Sequence, residues 1–449
     1  MTAAERSVPT VRRTAAPATG VAAALILIGV AFAVPPLFGW HVNALGRAPL
    51  SARWDPRVGR GTVPAVALAL AGARWAPMLA ASLRWSGLLL GAFLASLLWA
   101  ASLAMVDGNR GIGGILGNSG EYLATARRVH GVPTLLHRFV SRIPLTSHDN
   151  WPTHVAGHPP GALLFFVLLV HLGLGSGIAA GWTVVVIAST TGPAVLITLR
   201  RLGAEQQARR AAPFLVFGPS AIWLAVSADA LFAAVAAWGL CYLALAATSA
   251  VPAQRLVWSL LSGAVLGYCC FLSYGLPLLA VLAAAIVVLA RQPRVLLAAG
   301  VGALAVVAAF ALGGFTWWHA YPVLRSRYYA GIADRRPASY WLWGDLAALC
   351  VSAGPVLGAS VVAAGQRLRT HRFATPSDPA PVLTLCAAAC IVLADVSEMS
   401  KGEVERIWLP FVPWLLLGTA LLTNTWRRRG LALQLLTAVV VQSLLFSRW

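Results

Sequence analysis

The chain has 449 residues, 59% of them hydrophobic and 11% charged, with a mean hydropathy of +0.76 and a formal net charge of +20. Soluble domains carry about 25% charged residues, so this composition excludes a soluble globular protein and describes a polytopic membrane protein. The positive balance does not point to nucleic acid. Lys401 is the only lysine, and the arginines gather between apolar runs, where they fix membrane orientation. Arginine dominance with heavy Ala, Gly and Val usage is the composition of a high-GC bacterium.

Residues 1–17 read as a disordered cytoplasmic tail, and 18–449 as a single transmembrane domain. The first apolar segment follows Arg6, Arg12 and Arg13 without a small-residue cleavage site, so it reads as a retained span. A span needs about 20 apolar residues. Candidates are 20–38, 63–82, 85–105, 160–176, 179–198, 211–226, 229–248, 255–272, 275–290, 294–313, 344–364, 381–397, 408–424 and 430–446. Segment 63–82 is interrupted by Arg74 and could lie in the interface. All six cysteines fall inside apolar runs without metal-ligand spacing and read as small apolar groups.

Arginine-rich connections at 200–210, Arg255, 291–294, 367–372 and 427–429 alternate with arginine-poor or mixed ones at Asp229, Tyr274, 314–342 and 398–407. Positive-inside logic puts the first set in the cytoplasm and the second outside. The outer segment 106–158 must then be an odd number of crossings from 199–210, yet two candidates separate them. One of these is expected to be re-entrant or interfacial, bent near Gly173–Gly177. The expected fold is an all-α bundle of about 13 spans.

A carboxylate in hydrocarbon costs about 2.5–3.5 kcal/mol on insertion scales, so fourteen acids in such a chain can be weighed singly. Segment 106–158 holds Asp107, Glu121 and Asp149 with five histidines and Trp151. Asp107 follows a span directly. Glu121 opens a short helix predicted over 121–128, where an acid suits the N-terminus. Either is a loop carboxylate or cap, or one is a general base. His154 and His158 are four apart, but glycine and prolines argue against a helix there, and Pro159-Pro160 suits a helix start after them. Asp229 reads as a cap between two apolar helices. The remaining outer loops offer His319 and Tyr328 among interfacial aromatics, and Lys401, Glu405 and Arg406, whose cations suit a headgroup-level phosphate.

Taken in order, these motifs resemble the GT-C superfamily of membrane glycosyltransferases. Gly120-Glu121-Tyr122 is similar to its acid-plus-tyrosine element and His158-Pro159-Pro160-Gly161 to its Pro-Pro element. Ser227-Ala228-Asp229 is similar to its later Asp, and Glu403–Pro410 to its Glu/Arg/Pro entry to a late span. No adjacent acid pair occurs in the first loop, which leaves Glu121 and Asp107 as first and second choices for the base. The resemblance implies an enzyme of the bacterial plasma membrane with an extracytoplasmic site. It would transfer sugar, with inversion, from a polyprenyl-phosphate donor to an envelope acceptor. Tyr122, Trp151, His154, His158, Asp229, His319, Tyr328, Lys401, Glu405 and Arg406 would bind substrate. The resemblance assigns no definite cofactor, a divalent metal is compatible, and membrane lipid is the surrounding partner. The alternative is a transporter or flippase of lipid-linked intermediates.

Overall fold

The computed structural model describes residues 11–370 and 378–447, so residues 1–10 of the expected tail, and Arg372, lie outside the described residues. The chain folds as an all-α membrane protein with one small ribbon. Its main helices, in order, are α1 (Val11–Phe38), α2 (Thr62–Ser82), α3 (Trp85–Ala104), α4 (Tyr122–Ala126), α5 (Thr153–Gly157), α6 (Pro160–His171), α7 (Gly177–Ala188), α8 (Thr191–Arg201), α9 (Glu205–Val216), α10 (Ala228–Ala247), α11 (Pro252–Leu272), α12 (Leu279–Ala290), α13 (Val295–Leu312), α14 (Trp317–Tyr329), α15 (Ala338–Ser352), α16 (Val356–Thr370), α17 (Pro379–Val396), α18 (Val404–Ile407), α19 (Val412–Leu415) and α20 (Asn424–Leu444), with further short helices, Asn109–Gly113 and Val132–Arg138 among them, in the connections. Strands β1 (Ala52–Trp54) and β2 (Leu445–Ser447) pair antiparallel, Arg53 opposite Phe446. Helix α1 begins at Val11, inside the segment expected to be a disordered tail.

Among the described residues, eight helical segments are long and apolar enough to cross a membrane. A ninth is the pair α15–α16, if it is counted as one span despite a bend of 102°. Of the other expected spans, 430–446 lies in the unbroken 21-residue α20, whose Arg427, Arg428 and Arg429 keep it outside that count, and the rest are shorter or broken. Candidate 211–226 stops at Phe217, 408–424 contains only a short apolar helix over 412–421, and 344–364 is centred on the α15–α16 bend. Hydropathy alone misses these breaks because the sequence stays apolar on both sides of each. One hydrophobic core runs from Ala24 of α1 to Ala438 of α20.

The connections fall into two groups, each hydrogen bonded within itself. In the first, Arg336 Nε donates to Asn43 O at 3.3 Å, Ser51 N to Glu405 Oε1 at 3.0 Å, Lys401 N to Tyr328 OH at 2.8 Å and Arg327 Nη2 to Trp151 O at 2.9 Å. In the second, Arg209 Nη1 donates to Ala80 O and Leu83 O at 3.0 and 2.9 Å, Ala380 N to Gln207 Oε1 at 3.1 Å, and Arg201 Nε to Thr248 Oγ1 at 2.9 Å. Residues 200–210 and 367–370, expected in one compartment from their arginines, belong to this second group.

The parity problem resolves here. Arg127 Nη2 donates to Gly175 O at 2.8 Å, which returns the end of α6 to the group where it began. Helix α6 has only 12 residues, and α7–α8 carries the chain to the second group. Helix α2 likewise runs from one group to the other as a 21-residue helix.

Helices α11 and α13 meet on Gly263 and Gly302. A Cβ at Gly263 would sit 1.8 Å from Ala299 O, and one at Gly302 would sit 2.2 Å from Leu260 O. Small residues let helix backbones approach closely in membranes. Gly263→Leu is expected to separate this pair and lower the thermal midpoint in detergent, at a cost of about 1–3 kcal/mol for overpacking.

Candidate functional site

Five chain segments bring their polar side chains to a buried cluster centred on Arg406. Arg406 Nη1 donates to Asp229 Oδ2 at 2.7 Å. Its Nη2 donates to Glu403 Oε2 at 2.8 Å and lies 3.2 Å from His154 Nδ1. His154 Nε2 in turn faces Glu121 Oε1 at 3.6 Å. Arg336 closes the far side: its Nη2 is 3.7 Å from Glu403 Oε1, and its Nη1 donates to Lys401 O.

Local sequence explains each placement. Glu121 occupies the N-cap position of α4 but makes no capping bond, so its carboxyl turns to His154. In α10 the capping role falls to Ser227, whose side chain accepts from Ala230 N. This releases Asp229, one residue into the helix, for Arg406. Contrary to the sequence expectation, residues 153–157 form a helical turn. Pro152 stands at its N-cap and Gly157 ends it, so the glycine and proline bound the turn rather than interrupting it. His158 Nδ1 folds back to within 3.0 Å of His154 O and 2.7 Å of Tyr122 OH, while the Tyr122 ring stacks on Phe166 at 5.0 Å. Glu403 has φ of 66°, next to Gly402 at 75°. A left-handed glutamate is strained by about 1–3 kcal/mol, and here the strained turn places its carboxylate between two guanidinium groups.

Electrostatics separates the carboxyls. Burial pushes Glu121 up to about 7; Arg406 lowers it, while Asp229 and Glu403 add to the rise. Burial, then Arg406 and His158, push His154 down to about 2, so its imidazole is neutral. Because guanidinium only donates, Nδ1 must be the acceptor, and the proton sits on Nε2, toward Glu121. Burial also lowers His158. Burial disfavours the charge on Arg406, but Asp229, Glu403 and Glu121 outweigh it and hold the guanidinium protonated. The arginines are matched by Asp229 and Glu403, and Glu121 faces only a neutral ring. Glu121 is therefore a carboxyl whose proton is exchangeable near neutrality.

The other expected site residues lie around this centre or apart from it. Glu405 is buried, accepts from Ser51 N at 3.0 Å, and is pushed by burial to about 7. Lys401 Nζ pairs with Glu398 at 2.6 Å, and Tyr328 holds the Lys401 backbone. Trp151 is buried against Phe139, with Arg142 3.5 Å above its ring, and serves the loop's own packing. His319 is exposed and bonds Thr316 at 2.8 Å. Asp107 is engaged elsewhere: it pairs with Arg57 and accepts from Gln442 Nε2 at 2.9 Å, tying α20 to the end of α3. Arg336 and Glu403 were absent from the expected site. The adjacent arginines Arg335-Arg336, in a connection that also holds Arg325 and Arg327, were the available signal.

The cluster is closed, with Glu121 7% exposed and Asp229 2%. Glu403 is its most accessible charged member, at 15% of its side chain. A cavity of about 30 Å³, room for one water, lies beneath, lined by Ala233 one turn along α10 from Asp229 and by Leu409 just after Arg406. Among the described residues no three His, Cys, Asp or Glu side chains are grouped to hold a metal ion. In comparisons with family models, curated proteins and solved structures, nothing matches this chain.

Proposed function

We propose that this protein is an inverting glycosyltransferase of the bacterial plasma membrane, taking sugar from a polyprenyl-phosphate donor to an acceptor at the outer face. The supporting observation is Glu121, a buried carboxyl tuned to about 7 and facing a neutral imidazole beside a doubly paired arginine. A general base works best with its pKa near the operating pH. In this reading Glu121 takes the acceptor hydroxyl proton as that oxygen attacks the anomeric carbon and the donor's phosphate leaves. Glu403 stands between Arg336 and Arg406 where the leaving phosphate would be neutralised, and the donor displaces it. Tyr122, His154 and His158 position the acceptor side. The GT-C fold and about thirteen crossings belong to the same proposal. The shared grouping of residues 200–210 and 367–370 supports it, with that group of connections cytoplasmic.

The test is transfer by purified protein from polyprenyl-phosphate mannose and arabinose. Labelled product from either donor, lost in Glu121→Gln, supports the reading; no product from a panel of prenyl-phosphate sugars overturns it. The position of Asp107 gives a second discriminator. Asp107→Asn is expected to keep transfer near the wild-type rate while lowering thermal stability by about 1.5–3 kcal/mol through its weakened charged hydrogen bonds. Loss of transfer in a stably folded Asp107→Asn protein would move the base assignment.

A transporter or flippase of lipid-linked intermediates is the second reading, favoured by the 102° bend between α15 and α16 and the break after α9. Interrupted helices are a transporter trait. Translocation of a prenyl-phosphate sugar in proteoliposomes without transfer would select it.

A further inference from the structure

A groove of about 190 Å³ runs between α2, α3 and α9, away from the Arg406 cluster. Small residues open it, Gly72, Ala76 and Ala92 among them, and Trp75, Leu79 and Phe217 wall it. On α2 it extends from Leu68 to Ala80, about 18 Å at 1.5 Å per residue, and it reaches Leu83 just past the helix end. Its whole lining is apolar, and Trp75 and Leu79 are about half exposed toward the bilayer side.

The groove ends at arginines. Arg209 bonds the carbonyls of Ala80 and Leu83, both of which line it. Arg84 follows Leu83 directly and Arg210 follows Arg209, and both side chains are exposed. Arg427 lies within electrostatic reach of Arg210. The acid beside them, Glu205, is already shared by Arg200 and Arg209 at 2.9 and 2.8 Å. This end of the bundle therefore presents uncompensated positive charge next to an apolar slot.

We infer that this groove holds one acyl chain of an anionic phospholipid whose headgroup phosphate sits between Arg84 and Arg210. Lipid tails are as apolar as the groove, so filling it gives no preference among lipids. The preference comes from the headgroup, at about 1 kcal/mol per arginine near the surface, or about fivefold each. The inference does not depend on the transferase reading.

The experiment reconstitutes the full chain into vesicles of phosphatidylcholine doped with phosphatidylglycerol, re-extracts it gently, and weighs retained lipid by native mass spectrometry. Wild type is expected to retain phosphatidylglycerol far above its share in the vesicle. The Arg84→Gln/Arg210→Gln pair should lose about 25-fold of that preference. Arg325→Gln, which removes an exposed arginine of the other group of connections, should leave it unchanged. Ala92→Trp should expel the lipid by filling the groove. Trp75→Ala, which removes a half-exposed wall without disturbing the core, should also weaken retention. Retention in the bulk ratio by wild type, or unchanged preference in the double arginine variant, overturns the inference.

Discussion

Glu121→Gln is expected to lower transfer by about 10²–10⁴-fold, the usual worth of a positioned general base, with the fold intact. Glutamine keeps the volume and can still face His154, so thermal stability should change little. The pH profile carries the same assignment. With burial holding Glu121 at about 7, the ionised form that accepts a proton is populated above that pH. kcat/KM should therefore fall tenfold per unit below about pH 7 and level off above it. Glu121→Asp, which stays titratable but retracts the carboxyl, should keep a pH-dependent remnant that Glu121→Gln lacks. A flat profile between pH 5 and 9, or a fully active Glu121→Gln, would remove Glu121 from the chemistry.

Arg406→Gln is expected to cause the largest loss of stability in the molecule. The guanidinium bonds Asp229 and Glu403 while itself 5% exposed. Removing one partner of such a buried pair costs about 3–5 kcal/mol because the remaining charge is left without compensation. Adding Asp229→Asn should recover part of that loss, since a neutral amide needs no counter-ion. The measurement is the unfolding midpoint of the single and double variants in one detergent. An Arg406→Gln protein melting with wild type would contradict the buried pairing.

Much of the site was legible because acids and histidines are expensive in an apolar chain. Glu121, His154, Asp229 and Arg406 stand out by type alone, and the structure brings them together. Their partners were less visible. Whether Asp107 or Glu121 joins the cluster depends on Arg57 and Gln442 reaching Asp107 from distant segments, which spacing does not encode. Arg336 and Glu403 become informative only when two separate connections are superposed. The helical character was plain from hydropathy, but breaks were not: Gly354-Pro355 turns the chain inside an apolar stretch. Likewise the Gly173–Gly177 bend could be placed in the sequence, while Arg127 bonding Gly175 identifies α6 as the segment that turns back.

The link between Asp229 and Arg406 spans 177 positions of chain. At synthesis rates of about 5–20 residues per second, Asp229 emerges about 10–35 s before the cation that neutralises it. The nascent polypeptide must hold the start of α10, with Asp229, at the water boundary until α18 arrives. A ribosome stalled before residue 406 should thus display Asp229 to water-soluble carboxyl reagents, and release of the finished chain should hide it.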